Sequence, residues 1–402
     1  MTNIDWTQRF STGANEMRGS ALRIIFKETR KPGMISLAGG TPAPEVFPVE
    51  DIAAASERAI IQKTIDSLQY GLTEGYTPLR EYLAERMNGN GFKIGADQVQ
   101  ITVGSQQAID IVGRLFLDPG TQVAIEDPTY MSVITAWAPL RPAYLPIKME
   151  EDGLDVDALD AMLKSGVKPA FLYTISAFQN PMGVTISMEK RRRLIEIAAK
   201  YGMPIVEDDP YGELVFEGKP MPPLAALDCQ MHGELRHVIY MSTFSKLVSP
   251  GLRTAWAVGP KEVVAKMTLA KQGMDLHASA LSQVIVHEVC VDGLLERHVP
   301  LIRQTYKTRR DALLSALEEQ MPDGFHWTKP AGGMFVWLTM PDNFDSQKLV
   351  RLALDRLVAF VPGFSFYANG GPANTARLSF ANPSPEMLHE GVRRLVEAIK
   401  AY

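Results

Sequence analysis

The chain has 402 residues, 46% hydrophobic and 22% charged, with a formal net charge of −5. A chain of that length buries a large core and is expected to form about two domains, and its mild acidity offers no basic face to a nucleic-acid backbone or a membrane surface. Two cysteines, Cys229 and Cys290, exclude a disulfide framework and fit free thiols in a reducing compartment.

The opening "MTNIDWTQRF" is polar, and no apolar run reaches a membrane-spanning length, so a cytoplasmic protein is expected. No HExxH occurs; His287-Glu288 runs into "VCV". With two distant cysteines as well, no metal site is expected. "NEMRGSALRIIFKET" (15–29) has helical spacing through Met17, Leu22, Ile25 and Phe26. The Gly- and Pro-rich stretch 30–48 predicts extended loop, and helical patterns follow over 49–68 and 77–90. Short apolar runs then recur: "VQITVG" (99–104), "QVAIEDP" (122–128), "AFLYTIS" (170–176), "MPIVEDD" (203–209), "HVIYMS" (237–242) and "TAWAVG" (254–259). Helical patterns at 105–117, 188–201 and 261–272 alternate with them. That alternation predicts a mainly parallel sheet with helices on both faces. From about 280, helical segments surround "GGMFVWLTM" (332–340) and "TARLSFA" (375–381), which predicts a smaller α+β domain.

Ligands of open α/β sheets sit at the carboxyl ends of strands. After the first run come Gly104, Ser105 and Gln106, opening a helix as a phosphate site would, or as an ordinary turn would. Tyr130 follows the second run and suits ring stacking or half-burial equally. Asn180 follows the third, as a donor to a ligand oxygen or a turn opener before proline. Asp208 and Tyr211 follow the fourth, three apart across a turn, so both can face one ligand. Thr243, Ser245, Lys246 and Arg253 follow the fifth. Two hydroxyls and a guanidinium suit a phosphate dianion. A lysine beside another cation becomes a usable nucleophile. A phosphate cup, a stacking aromatic, a carboxylate for a ring nitrogen and an amine together ask for pyridoxal 5'-phosphate.

From "SALRIIF" and "ISLAGGTPAPEVFP" through "LQYGLTEGYTPLR", "QNPMG" and "EDDPYGEL" to "STFSKLVSPGLR" and "ARLSFA", the chain resembles the fold-type-I, class I/II aminotransferases. Within them it resembles the 2-aminoadipate, kynurenine and broad-specificity branch. The resemblance implies that Lys246 carries the cofactor as a Schiff base and moves the substrate proton. It gives Asp208 to the pyridine nitrogen, Tyr211 and Asn180 to the phenolic oxygen, and Tyr130 to the ring face. Ser105, Gln106, Thr243, Ser245 and Arg253 would hold the phosphate, joined by Tyr70 from the partner subunit of a homodimer. Arg377 would take the substrate α-carboxylate. Gly39, Gly40 and Asn180 would line the substrate site, and Arg23 would take a distal carboxylate. Leu72 and Thr243 depart from the commoner proline and serine of relatives.

The implied layout is an N-terminal helix and substrate-covering loop (1–48), a large cofactor-binding domain (49–280) and a small domain (281–402). The expected reaction moves an amino group from an α-amino acid (2-aminoadipate and glutamate, with leucine or aromatic ones as further candidates) to a 2-oxo acid such as 2-oxoglutarate by a ping-pong route. The rivals are a β-lyase or decarboxylase on the same scaffold, and an aminotransferase-like effector domain of a regulator. The stretch before "SLAGG" is too short to hold that regulator's DNA-binding module.

Overall fold

The computed structural model describes residues 4–17, 19, 25, 27–29 and 31–402. Arg23 and most of "SALRIIF" lie outside the described residues. The strands, in chain order, are β1 (Ile35–Ser36), β2 (Val99–Thr102), β3 (Gln122–Asp127), β4 (Ala143–Glu150), β5 (Gly153–Leu154), β6 (Leu172–Thr174), β7 (Ile205–Asp208) and β8 (Val238–Thr243). They continue with β9 (Ala255–Val258), β10 (His326–Trp327), β11 (Phe335–Thr339), β12 (Val358–Ala359), β13 (Val361–Pro362) and β14 (Thr375–Ser379).

Among the described residues, eight strands form one sheet in the order β2-β9-β8-β7-β6-β3-β4-β5. Its centre, from β8 through β4, is parallel. β7 and β8 are buried along their whole length, as strands covered on both faces must be. Within this mainly parallel sheet, β9 runs antiparallel to both neighbours, β2 and β8. β2 and β8 therefore point the same way, so β2, β3, β6, β7 and β8 all end at one edge.

Local signals set where these strands stop. The helix Met188–Tyr201 is capped by Ser187, whose hydroxyl accepts from Lys190 N, and it ends on Gly202 in the left-handed region. That glycine turns the chain into β7 without a Cβ penalty, which puts Asp208 at the sheet edge. The helical pattern over 49–68 is broken: helices Val49–Ile61 and Thr64–Leu68 are separated where Lys63 leaves helical dihedrals. The Ser67 hydroxyl donates to Ala59 O at 2.7 Å and closes the break.

A second sheet, β10-β11-β14-β13, is antiparallel and sets Trp337 opposite Arg377. β1 pairs in parallel with β12, Ile35 against Val358. Leu37 extends that link, donating to Ala359 O and accepting from Ser379 N, both at 2.8 Å. The stretch before the large sheet is thus stitched to the end of the chain. The helix Ala280–Val291 packs on the helix Val49–Ile61, while the long helix Leu294–Gln320 packs on Pro385–Lys400.

Candidate active site

The shared edge of β2, β3, β6, β7 and β8 gathers most of the side chains singled out above. On one side, Gly104 opens the helix Gly104–Phe116 with φ of 70°. A Cβ there would overlap the Arg253 guanidinium, 2.9 Å from Cζ. Arg253 itself has φ of 52°, on the short turn Pro250–Leu252, and donates to Pro250 O at 3.2 Å. The Thr243 hydroxyl donates to Ser245 Oγ at 2.8 Å and accepts from Ser245 N at 3.1 Å. Ser105 Oγ is buried without a partner. Hydroxyls, a helix start and a guanidinium converge here, as a phosphate requires.

Lys246 follows β8. It is half-buried and donates to Gly40 O at 2.8 Å. Burial, then the charges of Arg377 and Arg253, lower its pKa to about 8. Gly40 has no side chain to spare; a Cβ would lie 2.7 Å from the Phe335 ring. Gly39 beside it is half-buried.

Asp208, 2% exposed, accepts from the Tyr173 phenol at 2.8 Å through Oδ2, while Oδ1 has no partner. Burial raises its pKa to about 7, with Asp209 and Glu207 adding to the rise and the Tyr173 hydrogen bond opposing it. Asn180 Nδ2 donates to the Tyr211 hydroxyl at 3.5 Å, and Tyr211 meets Phe335 edge-on at 5.9 Å. Tyr130 is half-buried just before the helix Met131–Trp137.

Arg377, 4% exposed, donates to Asn180 Oδ1 and to Ala38 O, both at 2.8 Å. Its Nε has no partner. The guanidinium lies over Phe335 at 4.1 Å and Phe366 at 5.1 Å. Burial lowers its pKa to about 10, which leaves it charged at neutral pH.

Two candidates are exposed rather than buried in this cluster. Tyr70 is 78% exposed, edge-on to His277 at 5.8 Å. Gln106 is exposed. Arg23 lies outside the described residues. Tyr173, Phe335 and Phe366 were not anticipated. Tyr173 had a signal: a tyrosine inside an apolar strand must place its hydroxyl. Asp228, His232 and His237 were also unforeseen, because an HExxH pattern does not cover their spacing. Their ligand atoms converge within 4.8 Å. Asp228 Oδ1 lies 2.9 Å from both Nδ1 atoms, and Oδ2 accepts from Arg236 N and His237 N at 2.7 and 2.6 Å. Hydrogen bonds thus occupy the carboxylate, and the group closes the end of the helix Leu224–His232.

The orphaned Oδ1 of Asp208, the orphaned Ser105 hydroxyl and the Gly104–Arg253 wedge fit a ring nitrogen and a phosphate, with a lysine of lowered pKa nearby. A mainly parallel sheet presenting that set at its strand ends defines a pyridoxal-phosphate enzyme of fold type I. The chain belongs to the family "Aminotransferase class I and II", whose model matches residues 32–395. It is 42% identical to aromatic-amino-acid aminotransferase 1 of Thermococcus litoralis, over 99% of this chain and 95% of that protein. The alpha-aminoadipate aminotransferase of Thermus thermophilus, solved with N-(5'-phosphopyridoxyl)-L-leucine, superposes with a TM-score of 0.92 at 42% identity, covering 99% of both chains. Pyrococcus horikoshii kynurenine aminotransferase superposes with a TM-score of 0.94 at 43% identity, covering 99% of this chain and 98% of that one. The chain is a transaminase with pyridoxal 5'-phosphate as its cofactor. Among the described residues no helix is long and apolar enough to cross a membrane.

Proposed function

We propose that this aminotransferase moves the amino group of 2-aminoadipate, glutamate and, more weakly, large apolar or aromatic amino acids to a 2-oxo acid such as 2-oxoglutarate, in a ping-pong cycle on Lys246. The carrying observation is Arg377: a buried guanidinium stacked on two phenyl rings, with Nε unspent and its charge felt at Lys246. The names of relatives that act on 2-aminoadipate and on aromatic amino acids support that part of the range.

Bound pyridoxal phosphate supplies a carbonyl carbon that takes the amino group and a ring that accepts the electron pair released at the substrate Cα. Arg377 grips the α-carboxylate and turns the Cα–H bond towards Lys246. Lys246 removes that proton and returns it one position further along. Asp208 holds a proton on the ring nitrogen through Oδ1. Tyr211 and Asn180 donate to the phenolic oxygen, and Tyr130 covers the ring. Ser105, Gln106, Thr243, Ser245 and Arg253 hold the phosphate. Tyr70, exposed in one chain, completes that cup for the partner subunit of a homodimer. Gly39 and Gly40 line the substrate space, and Arg23 receives a distal carboxylate. We divide the chain into a substrate-covering segment (1–48), a cofactor domain (49–280) and a small domain (281–402); the β1–β12 pairing supports grouping the first with the last.

Three measurements test this reading. Borohydride is expected to fix the cofactor to the single peptide containing Lys246; label on another lysine sinks the assignment. A panel of amino donors with 2-oxoglutarate, scored by kcat/KM, is expected to place 2-aminoadipate and glutamate first. An amino acid alone is expected to convert the bound cofactor stoichiometrically to its amine form, which a lyase or decarboxylase does not do.

A further inference from the structure

Glu207, Asp208 and Asp209 are three consecutive carboxylates, 0, 2 and 8% exposed. Buried charges of one sign in a row are costly unless each is engaged. Glu207 accepts from the Ser176 hydroxyl at 2.5 Å and from Leu224 N and Ala225 N at 2.8 and 3.0 Å, which pins the start of the helix Leu224–His232. Asp209 accepts from the Tyr240 hydroxyl at 3.0 Å and from Gly212 N at 2.8 Å. Asp208 has one donor, the Tyr173 phenol, and one free oxygen.

We propose that Tyr173 is a positioning residue for the reaction, holding Asp208 Oδ2 so that Oδ1 alone faces the ring nitrogen of the cofactor. The inference rests on the reading of Asp208 given above. Tyr173 lies on β6, and its Cα partner on β7 is Val206. Asp208 is two residues further along β7, hence on the same face. The Tyr173 ring is fully buried and meets the Trp137 indole edge-on at 5.8 Å. Trp137 is fixed in turn: its Nε1 donates to Ile109 O at 2.8 Å, and the indole fits only because Gly113 has no side chain, since a Cβ would lie 2.6 Å from Nε1. Ile109 and Gly113 belong to the helix that Gly104 and Ser105 begin. One rigid path, helix to Trp137 to Tyr173 to Asp208, therefore sets the spacing between the phosphate end and the ring-nitrogen end of the site.

The phenol also acts on charge. Burial and the flanking carboxylates push Asp208 towards its neutral form, and the donated hydrogen bond opposes them. Burial and the charge of Asp208 raise Tyr173 well above its ordinary pKa, so it stays protonated and keeps the proton that it donates to the carboxylate. A neutral Asp208 would lose the charge that keeps a ring nitrogen protonated.

The test is Tyr173→Phe in the full-length holoenzyme, which keeps the ring against Trp137 and removes only the hydroxyl. Pyridoxal-phosphate affinity is expected to fall about tenfold, with a shifted pH dependence of the bound cofactor's absorption. The rate of the amino-acid half-reaction is expected to fall roughly ten- to a hundredfold, with KM within about twofold. Tyr240→Phe removes the equivalent phenol from Asp209 and is expected to leave affinity and spectrum at wild-type values. In an Asp208→Asn background, Tyr173→Phe is expected to add nothing further, because its effect runs through that carboxylate. Wild-type affinity and spectrum in Tyr173→Phe, or losses that add in full to those of Asp208→Asn, overturn the proposal. Failure of the wild-type chain to bind the cofactor would sink the functional reading instead.

Discussion

Arg253 occupies the space where a side chain on residue 104 would begin. Gly104 combines a φ of 70° with a guanidinium filling the space where its Cβ would lie. Gly104→Ala pays twice, in backbone strain and in displacing Arg253, which together amount to about 1–3 kcal/mol. Because both effects fall at the phosphate cup, cofactor affinity is expected to drop roughly tenfold, and the thermal midpoint of the cofactor-free protein to fall by a few degrees. Equilibrium dialysis with pyridoxal phosphate measures the first. Unchanged affinity would mean that Arg253 does not grip the phosphate.

Lys246 should set the pH dependence of cofactor uptake. Its amine titrates at about 8, below an ordinary lysine, through burial and two nearby arginines. Only the neutral amine attacks a carbonyl. The uptake rate of cofactor-free protein is therefore expected to rise about tenfold per pH unit below 8 and to level off above it. A rate still climbing at pH 10 would put Lys246 in an ordinary environment.

The buried carboxylates predict an unusual stability profile. Burial raises Glu126 and Glu207 to about 7, and Asp208 to the same value. Between their ordinary values near 4 and the folded value near 7, the folded state binds more protons than the unfolded one. Stability from these groups is present at low pH and lost as pH rises through about 7. The cofactor-free protein is expected to melt higher at pH 5.5 than at pH 8, and Asp208→Asn to flatten part of the slope. A midpoint that rises across that window contradicts the assignment.

Arg377→Lys keeps a cation and loses the planar fork and both aryl contacts. Loss of a charge-assisted pair costs about 1.5–3 kcal/mol, so kcat/KM is expected to fall roughly ten- to a hundredfold for every amino acid alike. A loss confined to dicarboxylic substrates would mean that Arg377 takes the distal carboxylate.

Arg23→Ala gives the complementary outcome. For 2-aminoadipate, kcat/KM is expected to fall roughly ten- to a hundredfold, while leucine barely changes or improves. Equal losses on both substrates would assign Arg23 a role unconnected with the distal carboxylate.

Much of the site was legible because strand ends advertise themselves. Asp208 lies at the end of one apolar run and Lys246 shortly after another, and Gly104 and Arg253 stand beside turn residues. What stayed hidden depends on neighbours distant in sequence. Tyr173 reads as one more apolar strand residue until β7 brings Asp208 within 2.8 Å. The aryl stack on Arg377 joins residues 335 and 366 across the small sheet. β4 escaped notice because much of it is only partly covered, so "AYLPIKME" lacks the apolar run of its neighbours. The reversed direction of β9 has no local signature at all, since four buried residues read the same either way.

The pairing of Ile35 with Val358 also orders events during synthesis. Val358 follows Ile35 by 358 − 35 = 323 positions of chain. At about 5–20 residues per second, a ribosome takes roughly 15–65 s to make them. Throughout that interval the segment around Leu37 and Ala38 has neither β12 to pair with nor Arg377 to bind. The large sheet, complete by residue 258, can condense first. The region that joins Gly40 and Ala38 to Lys246 and Arg377 is therefore assembled late, from segments made far apart in time.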